Sequence, residues 1–282
     1  ISRGRPELLV YTVKNTLPNI TRPDTTLMVS LDDDDPISLE AMKSLGVGDA
    51  KHPALGVHVG PREDSRGEKY DRALKMAPAD VYLPAVDHSP IITPGFDDKI
   101  LEAAKIWPDG IGVVYTRMCD ELVPLLQAPT AKYVELMGYI YSHDYPYWFI
   151  DHEMADIAWM IGRINFADVW LDPGKRPQQT MRMWDLGFWA SYYDMMEPYR
   201  RQKAREIIAV LDIPEWQKRQ FSNWWELMKR RSEGRNNRVR ATAVQCEQSR
   251  GEGGPPDEGY LRAKKRAEQK LSELYTALRA AA

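Results

Sequence analysis

Cysteine is almost absent. The 282 residues hold two, Cys119 and Cys246, far apart and in no disulfide or zinc spacing. That rules out a disulfide scaffold or a Cys-rich metal domain and predicts a reducing, cytoplasmic setting. No apolar run approaches the ~18 residues that a membrane span requires, and no signal-peptide pattern opens the chain. Net charge is only −3, so no global field marks a nucleic-acid binder. Internal repeats are also missing. The charge is nevertheless uneven. Residues 229–282 hold 13 Lys and Arg against 7 Asp and Glu, which leaves −9 on the preceding part.

What is present suits one large domain, or one domain with a smaller appendage. Hydrophobic residues make up 43% of the chain, enough for a sizeable core. Nine Trp and fourteen Tyr are many; aromatic clusters line sugar and base sites, although most aromatic side chains serve packing.

In chain order, Ile1–Pro6 reads as the tail of a first strand running into a helix, with Pro6 in the first turn and Leu9, Val13 and Leu17 at helical spacing. Thr25–Leu31 is a strand that breaks into Asp32-Asp33-Asp34-Asp35-Pro36. A short helix follows over Ser38–Leu45, stopped at Gly46. Leu55, Val57 and Val59 alternate as a third strand, and Glu68–Ala77 is helical. Val81–Val86 is a β-prone run ending in Asp87-His88-Ser89, with Pro84 marking an edge or bulge. A turn at Thr93-Pro94-Gly95 starts a helix over Asp97–Ile106, and Ile111–Thr116 is a further strand. Ala131–Tyr141 is helical, Ser142–Trp148 an aromatic loop, and Asp151 an N-cap for a helix to about Arg163. Ala167–Leu171 reads as a last strand before a Pro/Gly loop. Helices rich in Trp and Arg fill Met183–Arg231, and Trp184, Trp189, Trp216, Trp224 and Trp225 read as their packing. Ser232–Glu258 is a polar, Gly-rich linker, and Tyr260–Leu278 a last amphipathic helix.

Strands alternating with helices define an α/β fold, a Rossmann-like, mostly parallel sheet flanked by helices. In such sheets ligands bind beyond the carboxyl ends of the strands. Two strand ends here carry carboxylates, at 32–35 and at 87. A carboxylate at that rim can hold a hard cation, and the cation a diphosphate. Four adjacent carboxylates destabilise one another unless cations or donors offset them.

These motifs, in this order, resemble the GT-A fold nucleotide-sugar glycosyltransferases of the family 2 type: Ser2-Arg-Gly-Arg-Pro6 at a first strand end, the Asp cluster after the second strand, and Arg66–Leu74 ahead of a strand ending in Asp. So do Asp87 with Pro94-Gly95 and a helix, and Phe149-Ile-Asp-His-Glu-Met-Ala-Asp156 with Arg163. The resemblance covers about residues 1–185, with a helical extension at 186–231, the linker at 232–258 and a terminal helix at 259–282. It implies an inverting transfer of a sugar from a nucleoside diphosphate sugar, UDP-linked in preference to GDP-linked, to a hydroxyl of a glycan, a lipid or a nucleic acid.

The same resemblance implies roles. Asp33 or Asp34 would bind the base or ribose, and Arg3, Arg5, Arg62 and Arg66 the base and phosphates. Asp87 would hold Mn2+ or Mg2+, with Asp172 as a second ligand in place of the family's histidine. Asp151 would be the general base, with Glu153 and Asp156 competing, and Tyr145, Tyr147 and Trp148 would stack on the acceptor. The chain departs from the pattern where Asp-x-Asp becomes Asp87-His88-Ser89, which leaves one carboxylate to a cation that phosphates and water must complete. Two rivals stand beside this reading. One is a sugar-phosphate nucleotidyltransferase, whose Gly-rich signature Ser2–Pro6 matches poorly. The other is a non-catalytic nucleic-acid binder built on Lys229–Arg240, whose six basic residues and one acid could grip a polyanion or an anionic membrane surface.

Overall fold

The computed structural model describes residues 2–45, 53–117, 126–172, 185–221, 225 and 258–281, the side chains of 117 and 277–281 excepted. Cys119, Cys246, Trp184, Trp224, the basic segment 229–240 and the linker before residue 258 lie outside them. The chain divides into two compact units: Ile1–Glu63 with Lys69–Ile140 and Arg163–Pro177, and Asp64–Glu68 with Tyr141–Gly162 and Gln178–Ala282.

The first unit is α/β. Its elements are α1 (Pro6–Thr16), β1 (Leu27–Asp32), α2 (Pro36–Ser44), β2 (Leu55–Gly60), most of α3 (Arg66–Met76), α4 (Phe96–Ala104), β3 (Val113–Arg117), β4 (Gln127–Pro129), α5 (Ala131–Met137) and β5 (Ile164–Trp170). Among the described residues two strand pairings are parallel, β1 with β2 and β3 with β5, while β4 runs antiparallel to β3. The strands form two small sheets, β1-β2 and β4-β3-β5, where the alternation suggested one.

Each sheet has its own core. Leu9 and Val13 of α1, Met42 of α2 and Val29 and Leu31 of β1 close over the first. Phe96 and Ile100 of α4, Trp107, Val114, Ala167 and Val169 close over the second. A fully buried side chain of this kind stabilises by about 1.5–3 kcal/mol. Gly112 is a packing requirement, because a Cβ there would stand 2.3 Å from the Trp107 ring.

Two sequence expectations are corrected here. The run Val81–Val86 is not a strand: Val81 makes one bridge to Thr130 and Tyr82 donates to the Pro129 carbonyl, after which the ladder stops. Pro84 brings no N–H to it. The described part of the opening segment is likewise no strand; the Ser2 N–H reaches the Ser30 carbonyl at 3.5 Å and no ladder follows through residue 5.

The second unit is helical: α6 (Ile150–Met160), α7 (Leu186–Met195), α8 (Glu197–Val210), residues 215–221 (α9) and α10 (Glu258–Ala281). Tyr145, Phe149, Trp189, Tyr192 and Tyr193 pack ring to ring at 5.0–6.5 Å. Trp225 donates its indole N–H to the Met160 carbonyl, whereas Trp216 stands in solvent. Helix α10 buries Tyr260, Ala263 and Ala267 and sets a row of cations on acids. Arg262 and Arg266 hold Asp64, Lys264 holds Asp185, and Lys270 holds Asp144.

Candidate functional site

The site of the first unit is organised by residues 2–5. Gly4 takes φ +65°, a conformation L-residues rarely adopt, and the turn sends neighbouring side chains to different carboxylates. The Gly4 N–H donates to Asp35 at 2.7 Å, and Asp35 also caps α2 by accepting from the Ser38 N–H. Arg3 reaches Asp32 at 3.0 Å and grips Asp34 with both guanidinium nitrogens. Arg5 pairs with Asp87 at 2.9 Å, and the Ser2 hydroxyl donates to the other oxygen of Asp87 at 2.7 Å. The segment therefore ties the carboxyl end of β1 to the loop that carries Asp87.

Helix α3 supplies the remaining cations. Lys69, buried, bonds Asp32 at 2.7 Å and the Ser2 carbonyl at 2.9 Å. Arg72 reaches Asp32 at 3.5 Å and Glu63 at 2.6 Å. Asp32 is thus the centre of three cationic side chains. Sequence reasoning singled out Asp33 instead, which is exposed and anchored by its N–H to the Gly60 carbonyl. It also missed Lys69 and Arg72. Their signal was present, since a spacing of three puts both on one helical face.

Electrostatics follow the geometry. Burial pushes the Asp87 carboxyl up, but the His88 hydrogen bond, the Arg5 charge and the Ser2 hydroxyl together hold it below the usual value. Asp34 is lowered by its bonds to Arg3, with the charge of nearby Arg62 adding to that. Lys69 is lowered by burial, against the pull of Asp32. Glu63 is raised, mainly by burial. Asp172, at the end of β5, accepts from the Tyr11 hydroxyl at 2.6 Å, and its N–H donates to the Pro90 carbonyl, three residues beyond Asp87.

Among the described residues no three His, Cys, Asp or Glu side chains gather as a metal-ligand set. Asp87 is a hard oxygen donor held in its ionised form. It fits a hard divalent cation as one ligand, the others coming from phosphate oxygens and water.

In the second unit, α6 opens at Phe149, which takes φ +70°, so Asp151 lies inside the first turn and is not the N-cap. The physical reason is that the strained residue at 149 ends the loop two positions earlier than the Asp pattern suggests. Asp151 is half-buried and accepts both the N–H of His152, at 2.9 Å, and its ring Nδ1, at 2.8 Å. Glu153 and Asp156 are buried. Asp156 bonds the Tyr193 hydroxyl and lies 3.6 Å from Arg200 Nε; Arg200, 1% exposed, also donates to the Tyr193 carbonyl and covers its ring. Tyr145 is 0% exposed and has no face for a ligand; burial drives its hydroxyl well above the ordinary value. Tyr147 lies under the Arg66 guanidinium at 4.7 Å, with Trp148 edge-on to it.

No protein-family model matches the chain, and no curated protein sequence does. Solved structures do. One is the mannosyltransferase PcManGT from Pyrobaculum calidifontis in complex with GDP-Man and Mn2+, aligned over 98% of this chain and 80% of that one with TM-score 0.52 and 12% identity. The α/β fold of this chain is that of a glycosyltransferase structure.

Proposed function

We propose that the chain is a nucleotide-sugar glycosyltransferase of the GT-A type. The observation that carries the reading is the segment 2–5, which brings Arg3 to Asp32 and Asp34 at the carboxyl end of β1 and Arg5 to Asp87 on its loop. An anionic diphosphate placed there would meet the positive charges of Arg3 and Arg5, which the carboxylates hold in place. Exposed Asp33 is the acceptor for base or ribose, with Asp34 beside it held by Arg3. The neighbour's GDP-mannose brings GDP-linked donors level with the UDP-linked donors that the sequence favoured.

In the reaction the acceptor hydroxyl attacks the anomeric carbon. The bond from that carbon to the diphosphate oxygen breaks, and the diphosphate leaves with the electron pair. One displacement inverts the centre. Asp151 takes the acceptor proton, with His152 on its Oδ1 fixing the carboxylate. Asp156 is a structural acid, committed to Arg200 and Tyr193. Asp87 would hold a divalent cation, which when bound neutralises charge building on the leaving diphosphate.

The test is transfer or hydrolysis of GDP- and UDP-sugars followed by mass spectrometry. Asp151→Asn is expected to cut turnover by about 10²-fold or more, in keeping with loss of a general base, and to leave nucleotide binding unchanged. Release of pyrophosphate from a nucleoside triphosphate would favour a nucleotidyltransferase instead.

A further inference from the structure

The outward side of β5 carries Phe166, Asp168 and Trp170, while Ala167 and Val169 point into the core. Phe166 is 58% and Trp170 48% exposed, and Ile92, whose N–H donates to the Trp170 carbonyl, is 48% exposed. Large apolar groups gathered on a surface mark a binding face. This one is built rather than incidental. The Trp170 indole N–H is pinned by Asp168 at 3.1 Å, and the Trp170 N–H donates to the Thr93 hydroxyl at 2.7 Å. Phe166 stands edge-on to buried Tyr115 at 5.7 Å. At the end of the strand, Asp172 and Tyr11 add a carboxylate and a phenol.

We propose that this face is a saccharide subsite, the docking platform for a glycan acceptor. The chemistry selects the occupant. Flat rings accept the C–H faces of pyranose rings, and Asp168, Asp172 and the Thr93 hydroxyl accept from sugar hydroxyls. The outward positions of β5 and the segment 90–92 bonded to it carry Asp168 and no Lys or Arg, which disfavours nucleic acid and anionic lipid headgroups. Continuity points the same way. Ile91 bridges Leu171 and Asp172 bonds Pro90, so the platform adjoins the loop of Asp87. The assignment as acceptor subsite rests on the transferase reading; saccharide binding does not.

The experiment is titration calorimetry of the full chain with manno-, gluco- and galacto-oligosaccharides of four to six units. GDP and UDP serve as a separate arm. At least one oligosaccharide is expected to bind, with Trp170→Ala weakening it tenfold or more, Trp170→Phe restoring most of the affinity, and nucleotide affinity unchanged in both. Equal oligosaccharide affinity in wild type and Trp170→Ala overturns the proposal. So does binding of no oligosaccharide, and so does Trp170-dependent self-association or capture by phosphatidylglycerol vesicles in its place. Failure of GDP and UDP to bind while the oligosaccharide result holds removes the transferase reading and leaves the saccharide site.

Discussion

Two acids of α6, buried Asp156 and half-buried Asp151, separate structural from chemical roles. Asp156 compensates Arg200, so Asp156→Ala leaves a guanidinium uncompensated inside the helical unit, at a cost of about 3–5 kcal/mol. Thermal melting should show that loss, whereas Asp151→Asn should melt within about 1 kcal/mol of wild type. Asp87, 3% exposed and with both oxygens engaged, gives the acid dependence. Its pKa is held below the unfolded value, so its stabilisation is present above about pH 4 and is lost as pH falls through the folded value. Denaturant melts from pH 6 to pH 2 should show a loss that is shallower in Asp87→Asn than in wild type. The residue scale also explains what the sequence hid. Asp87 and Asp151 stand out in the string because Asp87 follows a β-prone run and precedes a turn, and Asp151 follows an aromatic run. Asp32 was hidden among three neighbours of identical chemistry, and only its contacts with Arg3, Lys69 and Arg72 distinguish it. Tyr145 read like Tyr147 in the string, but it faces four aromatic rings in the core.

At the scale of elements, periodicity was a good guide where a face is half-buried. Helices α1, α2, α3 and α4 begin within two residues of their sequence signals, since Pro, Gly and apolar spacing act locally. The failures lie where tertiary context decides. Val81–Val86 has strand composition, but Pro84 interrupts its donors and its neighbour β4 is only three residues long. Asp151 has N-cap chemistry, but strained Phe149 takes that position. The excess of Lys and Arg over residues 229–282 was visible, while the acidic partners of α10, scattered from Asp64 to Asp185, were not. Those pairs are part-exposed and screened by solvent, so each contributes little. The Tyr260 contact with Trp189 is the firmer anchor, with a 3.0 Å hydrogen bond from the indole N–H. Tyr260→Ala should therefore raise hydrogen exchange across α10 more than Asp64→Ala does, and only the Asp64→Ala effect should be mimicked by added salt.

For the whole molecule, the fold class was readable because it depends on order, strands alternating with helices along the chain. The number of sheets was not, since it depends on whether distant strands meet. No described helix is long and apolar enough to cross a membrane. The central claim is that Arg3, Arg5 and Asp87 form the seat of a nucleoside diphosphate. The most direct test is thermal stabilisation of the chain by GDP and UDP, with and without Mn2+ or Mg2+. A ligand at about 100 times its dissociation constant adds about 2.7 kcal/mol. The account predicts a shift with at least one of the two nucleotides, enhanced by the cation, and loss of that enhancement in Asp87→Ala. No shift with either nucleotide under any metal condition would contradict it.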